Sequence, residues 1–179
     1  MPKVDNPFRF GAPVDGDFYL GRPELMATVR QFVDNRVHVV LIGPRRFGKT
    51  SFVQDLLRRI ELDKKTGLFV DVFNITSHRD FLQQMLRAIR SHQSLAEKFL
   101  DRVKSMPRIR PKVVVEQDLF SGVPSVSVAG DLAEKDVKDA IQDVLSSLTH
   151  LGEKVVVVID EFQKISEIED NGWLEATLR

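Results

Sequence analysis

The chain has 179 residues, which is enough for one domain with a sizeable hydrophobic core. Lys and Arg together number 26, and so do Asp and Glu, so a formal net charge of zero gives no global electrostatic case for binding nucleic acid or a membrane surface. The absence of cysteine excludes disulfides and cysteine-ligated zinc, and without an apolar run of signal-peptide or membrane-spanning length a cytoplasmic protein is predicted.

The chain opens with an N-terminal arm, residues 1–20, that is predicted to be irregular because Pro and Gly punctuate it and aromatic residues are scattered between them. A helix is predicted next, with Pro23 in its first turn and Glu24 beside its positive end. Residues 37–42, VHVVLI, form a nearly continuous apolar run, which is typical of a strand covered on both faces. In residues 52–60 the apolar positions recur at helical spacing, so a second helix is predicted.

Between this strand and this helix lies the sequence GPRRFGKT, residues 43–50, which fits the G-x-x-x-x-G-K-T pattern (Walker A) of phosphate-binding loops. The two glycines are expected to adopt positive φ and to let backbone amides approach a phosphate. Lys49 is expected to contact the β- and γ-phosphates and to act in catalysis, and the Thr50 hydroxyl to ligate Mg²⁺. The two arginines within the loop either contact phosphate or are solvated. The predicted nucleotide-binding residues of this segment are Gly43, Pro44, Arg45, Arg46, Phe47, Gly48, Lys49, Thr50 and Ser51.

The remaining elements alternate between strand and helix. A strand is predicted at residues 67–73, and Ser77 with Asp80 forms a capping signal that starts the next helix. Residues 112–129 are predicted to form a β-hairpin excursion, because two strand-like runs are joined through a segment with Gly and Pro. This alternation predicts an α/β fold of the P-loop NTPase type, a three-layer sandwich with a mostly parallel sheet.

An acidic pair follows the most strand-like run of the chain, VVVVI at residues 155–159. An apolar strand that ends in Asp is the Walker B arrangement, whose Asp holds Mg²⁺, often through water. Asp160 is therefore a predicted metal ligand together with Thr50. Glu161 is predicted to be the base that orients and deprotonates a water attacking the γ-phosphate, and Gln163 is a weaker candidate for contacting that phosphate.

These segments together resemble the archaeal-type ATPases, in the STAND and AAA+-like branch of the P-loop NTPases. The resemblance rests on GPRRFGKTS at residues 43–51, FYLGRPEL at residues 18–25 and VIDEFQ at residues 158–163, and it covers nearly the whole chain. It implies Mg²⁺-dependent ATP hydrolysis, often in the service of switching or assembly. It also implies that the segment containing Tyr19 and Arg22 lies over the adenine, which makes these two residues nucleotide-binding.

In that branch a strand with a polar sensor residue, a lid and often an arginine finger follow the Walker B strand, so the resemblance predicts that residues 1–179 are a truncated ATPase domain. The sensor strand normally lies between the loop strand and the Walker B strand, so a gap or an exposed edge is expected beside the Walker B strand. Such an edge predicts either self-association or a rearranged sheet. Members of this branch often carry a C-terminal winged-helix or nuclease-like domain, so nucleic acid binding is expected only through a domain beyond this chain.

Two other functions stay open at this point. The first is a nucleotide-dependent scaffold or switch with negligible turnover. The second is a P-loop kinase that transfers phosphate to a small acceptor. The pair Asp160 and Glu161 disfavours the kinase, because a water-activating carboxylate promotes wasteful hydrolysis.

Overall fold

A computed structural model of the protein describes residues 22–105, 113–117, 124–128, 132–151 and 154–178. The chain divides into two compact units, the first ending at Lys65 and the second beginning at Thr66. The predicted arm at residues 1–20, with Tyr19 in it, lies outside the described residues.

Two helices form the regular structure of the first unit among its described residues. Helix α1 spans Pro23–Asp34 and begins as predicted, with Pro at its first position and Glu24 in its first turn. Helix α2 spans Lys49–Leu62 and contacts α1. The buried apolar residues of the two helices are Met26, Val29, Phe52, Val53, Leu56, Leu57 and Ile60.

A buried carboxylate lies on the same helix as these apolar residues. The side chain of Asp55 is only 5% exposed, and it pairs with Arg58 and with Arg59, whose Nε lies 2.9 Å from Oδ2. Burial acts to raise the pKa of Asp55, but the hydrogen bonds from Arg59 and Arg58 outweigh burial and lower the pKa below its ordinary value. Asp55 therefore stays ionised at neutral pH and forms ion pairs with two arginines of the same helix.

The strand predicted at residues 37–42 is not formed, and this prediction was wrong. Val40 is 78% exposed and Ile42 is 92% exposed, so the apolar run that suggested a covered strand lies in contact with solvent. A strand needs a neighbouring strand that pairs with its backbone N–H and C=O groups. The described residues of the first unit contain no strand that could do so. The apolar pattern indicated a segment suited to a sheet, but it did not indicate whether a partner strand would pair with that segment.

The second unit carries the parallel pairing. Strand β1 (Thr66–Asp71) pairs in parallel with strand β4 (Val155–Asp160), with Thr66 opposite Val155 and Asp71 opposite Asp160. A short 3-10 helix, Phe162–Glu167, follows β4. The elements of the unit are β1 (Thr66–Asp71), α3 (His78–Arg90), α4 (Gln93–Ser105), β2 (Val113–Gln117), β3 (Pro124–Val128), α5 (Glu134–Thr149), β4 (Val155–Asp160) and α6 (Asn171–Leu178).

Parallel pairing with intervening helices makes this a mixed α/β unit with a small parallel sheet, as the alternation predicted. Among the described residues, β4 has a strand neighbour on one side only. Strands β2 and β3 pair with each other in antiparallel fashion, with Val113 opposite Val128. Residues 118–123, which would connect them in the predicted hairpin, lie outside the described residues.

Helix α3 begins at the predicted cap. The Ser77 hydroxyl accepts the Asp80 N–H at 3.2 Å, and the Asp80 carboxylate accepts the Thr76 N–H at 2.9 Å. Burial acts to raise the pKa of Asp80, but hydrogen bonds from Thr76 and Ser77 hold it below its ordinary value. The cap therefore starts the helix at the position from which its apolar face enters the core.

The hydrophobic core of the second unit contains side chains from β1, α3, α4, α5, the 3-10 helix and α6. Helix α3 contacts β1, α4 and α5. None of the helices described in the two units is long and apolar enough to cross a membrane. The largest fully buried side chains of this unit include Leu68, Phe81, Leu82, Leu86, Leu95, Phe99, Ile141 and Ile165.

Candidate functional site

The phosphate-binding loop, residues 43–48, ends in a left-handed glycine. Gly48 has φ 74° and ψ 22° and directly precedes α2. A Cβ at Gly48 would meet nothing within 4 Å, so backbone conformation rather than space requires glycine there. Gly43 does not adopt positive φ, so that prediction was wrong, and the other left-handed residue of the loop is Arg46, with φ 63°. A Cβ at Gly43 would lie 3.9 Å from the Lys49 Cδ, an ordinary contact, so the requirement for glycine applies to Gly48 alone within this loop.

The ammonium of Lys49 is folded back over the loop. Its Nζ donates to the carbonyl oxygens of Gly43 at 2.9 Å and Pro44 at 3.0 Å. Lys49 and Thr50 are the first residues of α2 and are half-buried, and Ser51 behind them is buried. The N-terminus of a helix presents backbone N–H groups and a positive dipole, so a cation and an anion-binding backbone meet at this point.

Arg22 contacts the same loop from the start of α1. Its Nη2 donates to the Phe47 carbonyl at 3.0 Å, and its guanidinium lies 4.8 Å from the centroid of the Phe47 ring. Among the described residues, 22–25 line an open depression of about 310 Å³. Arg45 and Arg46 are exposed. Arg22 thus binds the loop itself, and the contact with adenine that the resemblance implies for it stays a prediction.

The acidic end of β4 forms a tight turn. Glu161 adopts a left-handed conformation with φ 56°, which is uncommon for a residue with a side chain. Its N–H donates to the Asp160 Oδ1 at 3.0 Å, and its carbonyl accepts the Lys164 N–H at 2.8 Å. The Gln163 side-chain amide donates to the Glu161 Oε2. Backbone and side chain of Glu161 are therefore both held by their immediate neighbours.

A further carboxylate, which the sequence analysis did not single out, lies at this edge of the sheet. Asp71 is opposite Asp160 in the parallel pair, is exposed, and accepts the Phe73 N–H at 2.9 Å. The signal was present in the sequence, because residues 68–70 are an apolar run that ends in Asp just as β4 does. Parallel strands end at the same edge of a sheet, so two such runs predict neighbouring carboxylates once their pairing is known.

The donor set suits Mg²⁺. The Thr50 hydroxyl, in the first unit, and the Asp160 carboxylate, in the second, are hard oxygen donors of the kind that Mg²⁺ prefers. The part of the chain that the structure describes has no group of three or more His, Cys, Asp or Glu arranged to hold a metal ion. Mg²⁺ in nucleotide sites is bound by one or two protein oxygens together with phosphate oxygens and water, so the residues present fit this ion.

A left-handed glycine and a lysine at the start of a helix, with an acidic pair at the carboxyl end of a parallel strand, define the class of P-loop nucleotide-binding proteins. Within this class, residues 24–178 match the family described as "ATPase domain predominantly from Archaea". The match covers most of the chain, so the chain belongs to this family of ATP-binding ATPase domains, and the resemblance seen in the sequence is confirmed.

The chain is similar to several archaeal proteins that carry only a general description. It is 22% identical over 172 residues to the uncharacterized ATP-binding protein MJ0439 of Methanocaldococcus jannaschii, covering 90% of this chain and 45% of the relative. It is 23% identical over 135 residues to the uncharacterized ATP-binding protein PH0541 of Pyrococcus horikoshii, covering 74% of this chain and 39% of the relative. The chain thus spans less than half the length of these curated relatives. No solved structure matches the chain at a significant level.

Proposed function

We propose that this chain binds ATP together with Mg²⁺ through its phosphate-binding loop and hydrolyses it. The observation that carries the proposal is the geometry of the loop, in which left-handed Gly48 leads into α2 and the Lys49 ammonium lies over the loop carbonyls. On binding, the ammonium exchanges these carbonyls for β- and γ-phosphate oxygens, and the loop amides donate to the same phosphates. Membership in an ATPase family supports this proposal.

The proposed chemistry assigns a role to each of four residues. Thr50 and Asp160 would hold Mg²⁺, which supplies charge neutralisation at the phosphates. Glu161 orients a water and accepts its proton at a carboxylate oxygen while the water oxygen bonds to the γ-phosphorus. The bond from the γ-phosphorus to the β–γ bridging oxygen breaks, which releases ADP and phosphate. Lys49 stabilises the charge that develops on the phosphate oxygens.

We also infer a finer fold from the family. Residues 1–179 form a P-loop ATPase domain of the three-layer sandwich type. Residues 112–129 form a β-hairpin excursion, and the antiparallel pairing of β2 with β3 supports this assignment.

Two conservative substitutions test the proposed chemistry. Glu161→Gln keeps the size of the side chain but removes the base, so this variant should bind ATP about as well as the parent while hydrolysis falls by roughly 10²–10⁴. Asp160→Asn should weaken Mg²⁺-dependent ATP binding as well as turnover, because it removes a partner of the ion. Phosphate release and calorimetric titration with and without Mg²⁺ measure the two effects. Glu169→Gln, at an exposed position, is the matched control.

The outcomes separate the three functions. Hydrolysis that is unchanged in Glu161→Gln would mean that Glu161 is not the base, and Gln163 would become the next candidate. ATP binding without phosphate release from the parent would replace the enzyme with a nucleotide-dependent switch. Transfer of the phosphate to a small acceptor, instead of its release, would identify a kinase.

A further inference from the structure

Arg22 is fixed in place by the helix that it precedes. It is the residue immediately before α1, and its carbonyl accepts the Met26 N–H at 2.8 Å. Pro23 follows it at the first position of the helix and restricts the backbone there. The guanidinium therefore extends from a rigid base, although the side chain itself lies at the surface.

The guanidinium binds one residue of the phosphate-binding loop in two ways. It donates to the Phe47 carbonyl at 3.0 Å and stacks over the Phe47 ring at 4.8 Å. Phe47 is 56% exposed, so its contact with Arg22 is not a consequence of burial in a core. Arginine combines planar stacking with directional donation, which lysine cannot do. This contact links the start of α1 to the loop across 25 positions of the sequence.

The contact sets the direction of a neighbouring amide. In a trans peptide unit the C=O and the N–H point in opposite directions across a rigid plane. The Phe47 carbonyl and the Gly48 N–H belong to one such unit, so a carbonyl held toward Arg22 directs the Gly48 N–H to the opposite side. In this arrangement Gly48 is left-handed, with φ 74°, and glycine tolerates such a conformation because it has no Cβ.

We propose that Arg22 is a positioning residue of the loop, which orients the Gly48 N–H toward the phosphate chain of the nucleotide without contacting the nucleotide. The inference rests on the proposed function, and its ligand class is a polyphosphate anion. It assigns Arg22 to the phosphate end of the site, whereas the resemblance implies contact with the base. The two roles predict different affinities for an inorganic polyphosphate, which has no base. Loss of Arg22 should weaken its binding only if Arg22 acts at the phosphate end of the site.

The test compares the full chain with Arg22→Ala and Arg22→Lys, by calorimetric titration with magnesium tripolyphosphate, ATP and adenosine. Arg22→Ala should lose affinity for tripolyphosphate and ATP by about tenfold, the effect of misaligning one hydrogen bond to a charged phosphate, and should bind adenosine as the parent does. Arg22→Lys keeps the charge but not the stacked fork, so it should also lose affinity. Thermal unfolding of both variants should match that of the parent, because Arg22 is exposed.

Arg87→Ala removes the same charge from an exposed position of α3 and should leave all three affinities unchanged. The ratio of parent to Arg22→Ala affinity should persist at 1 M salt, where the Debye length is about 3 Å and the effect of a distant charge is screened. A ratio that disappears at high salt would overturn the proposal in favour of a simple charge effect.

Tripolyphosphate binding that is equal in Arg22→Ala, Arg22→Lys and the parent would also overturn the proposal, and a loss confined to adenosine and ATP would give Arg22 the base-contacting role. A parent that binds neither ATP nor tripolyphosphate would instead contradict the proposed function, and the inference with it.

Discussion

Replacement of Lys49 by Ala removes the cation of the phosphate-binding loop. The Lys49 Nζ donates to the Gly43 and Pro44 carbonyls, at 2.9 and 3.0 Å. A charge-assisted hydrogen bond contributes about 1.5–3 kcal/mol net. Because binding of the nucleotide must replace those two hydrogen bonds, we expect the lower half of that range, about 1.5–2 kcal/mol, which corresponds to an increase in Kd of about 10–30-fold.

Calorimetric titration of the parent and Lys49→Ala with Mg·ATP measures this increase directly. Lys135→Ala is the matched control, because it removes the same charge from an exposed position in the first turn of α5. The control should bind Mg·ATP as the parent does, and circular dichroism should show that all three proteins are folded.

Equal Mg·ATP affinities for Lys49→Ala and the parent would refute the assignment of the loop. A loss far beyond a hundredfold, more than about 3 kcal/mol, would refute the narrower reasoning that the loop carbonyls compete with phosphate for the ammonium. Similar losses in Lys49→Ala and Lys135→Ala would show that overall charge, and not the position of Lys49, determines the affinity.

Three further predictions concern folding and assembly. Phe81→Ala should lower the free energy of unfolding by about 3–5 kcal/mol in urea, because the ring is fully buried in the second unit, and a change below about 1 kcal/mol would contradict this. The pKa of Asp80 is lowered in the folded chain, so its stabilising contribution should be complete above about pH 4 and be lost as the pH falls through its folded value, and Asp80→Asn should flatten this part of the stability profile. Val40 and Ile42 are exposed, and among the described residues β4 lacks a strand neighbour on one side, so self-association is expected. Light scattering should give an average mass that rises with protein concentration, and this mass should be smaller for Val40→Lys.

Much of the fold follows from information that is local in the sequence. The start of α1 at Pro23, the cap of α3 at Ser77 and the apolar spacing of α2 are decided by residues within one or two helical turns, and the structure forms all three as predicted. The same holds for β1 and β4, whose β-branched and apolar runs were predicted within a few residues of their observed bounds. The phosphate-binding pattern also lies in one short segment, so its residues could be predicted without the fold.

The sequence did not show what depends on partners far along the chain. Residues 37–42 have the composition of a strand, but only a neighbouring strand could make them one, and composition does not encode whether that neighbour is present. Arg22 was assigned from resemblance to the base, whereas the structure brings its guanidinium to Phe47. Asp71 and Asp160 became neighbours only through the register of β1 with β4. In each case the deciding interaction joins residues that are distant in the chain, because strand pairing and side-chain contacts across elements are set by tertiary packing rather than by local propensity.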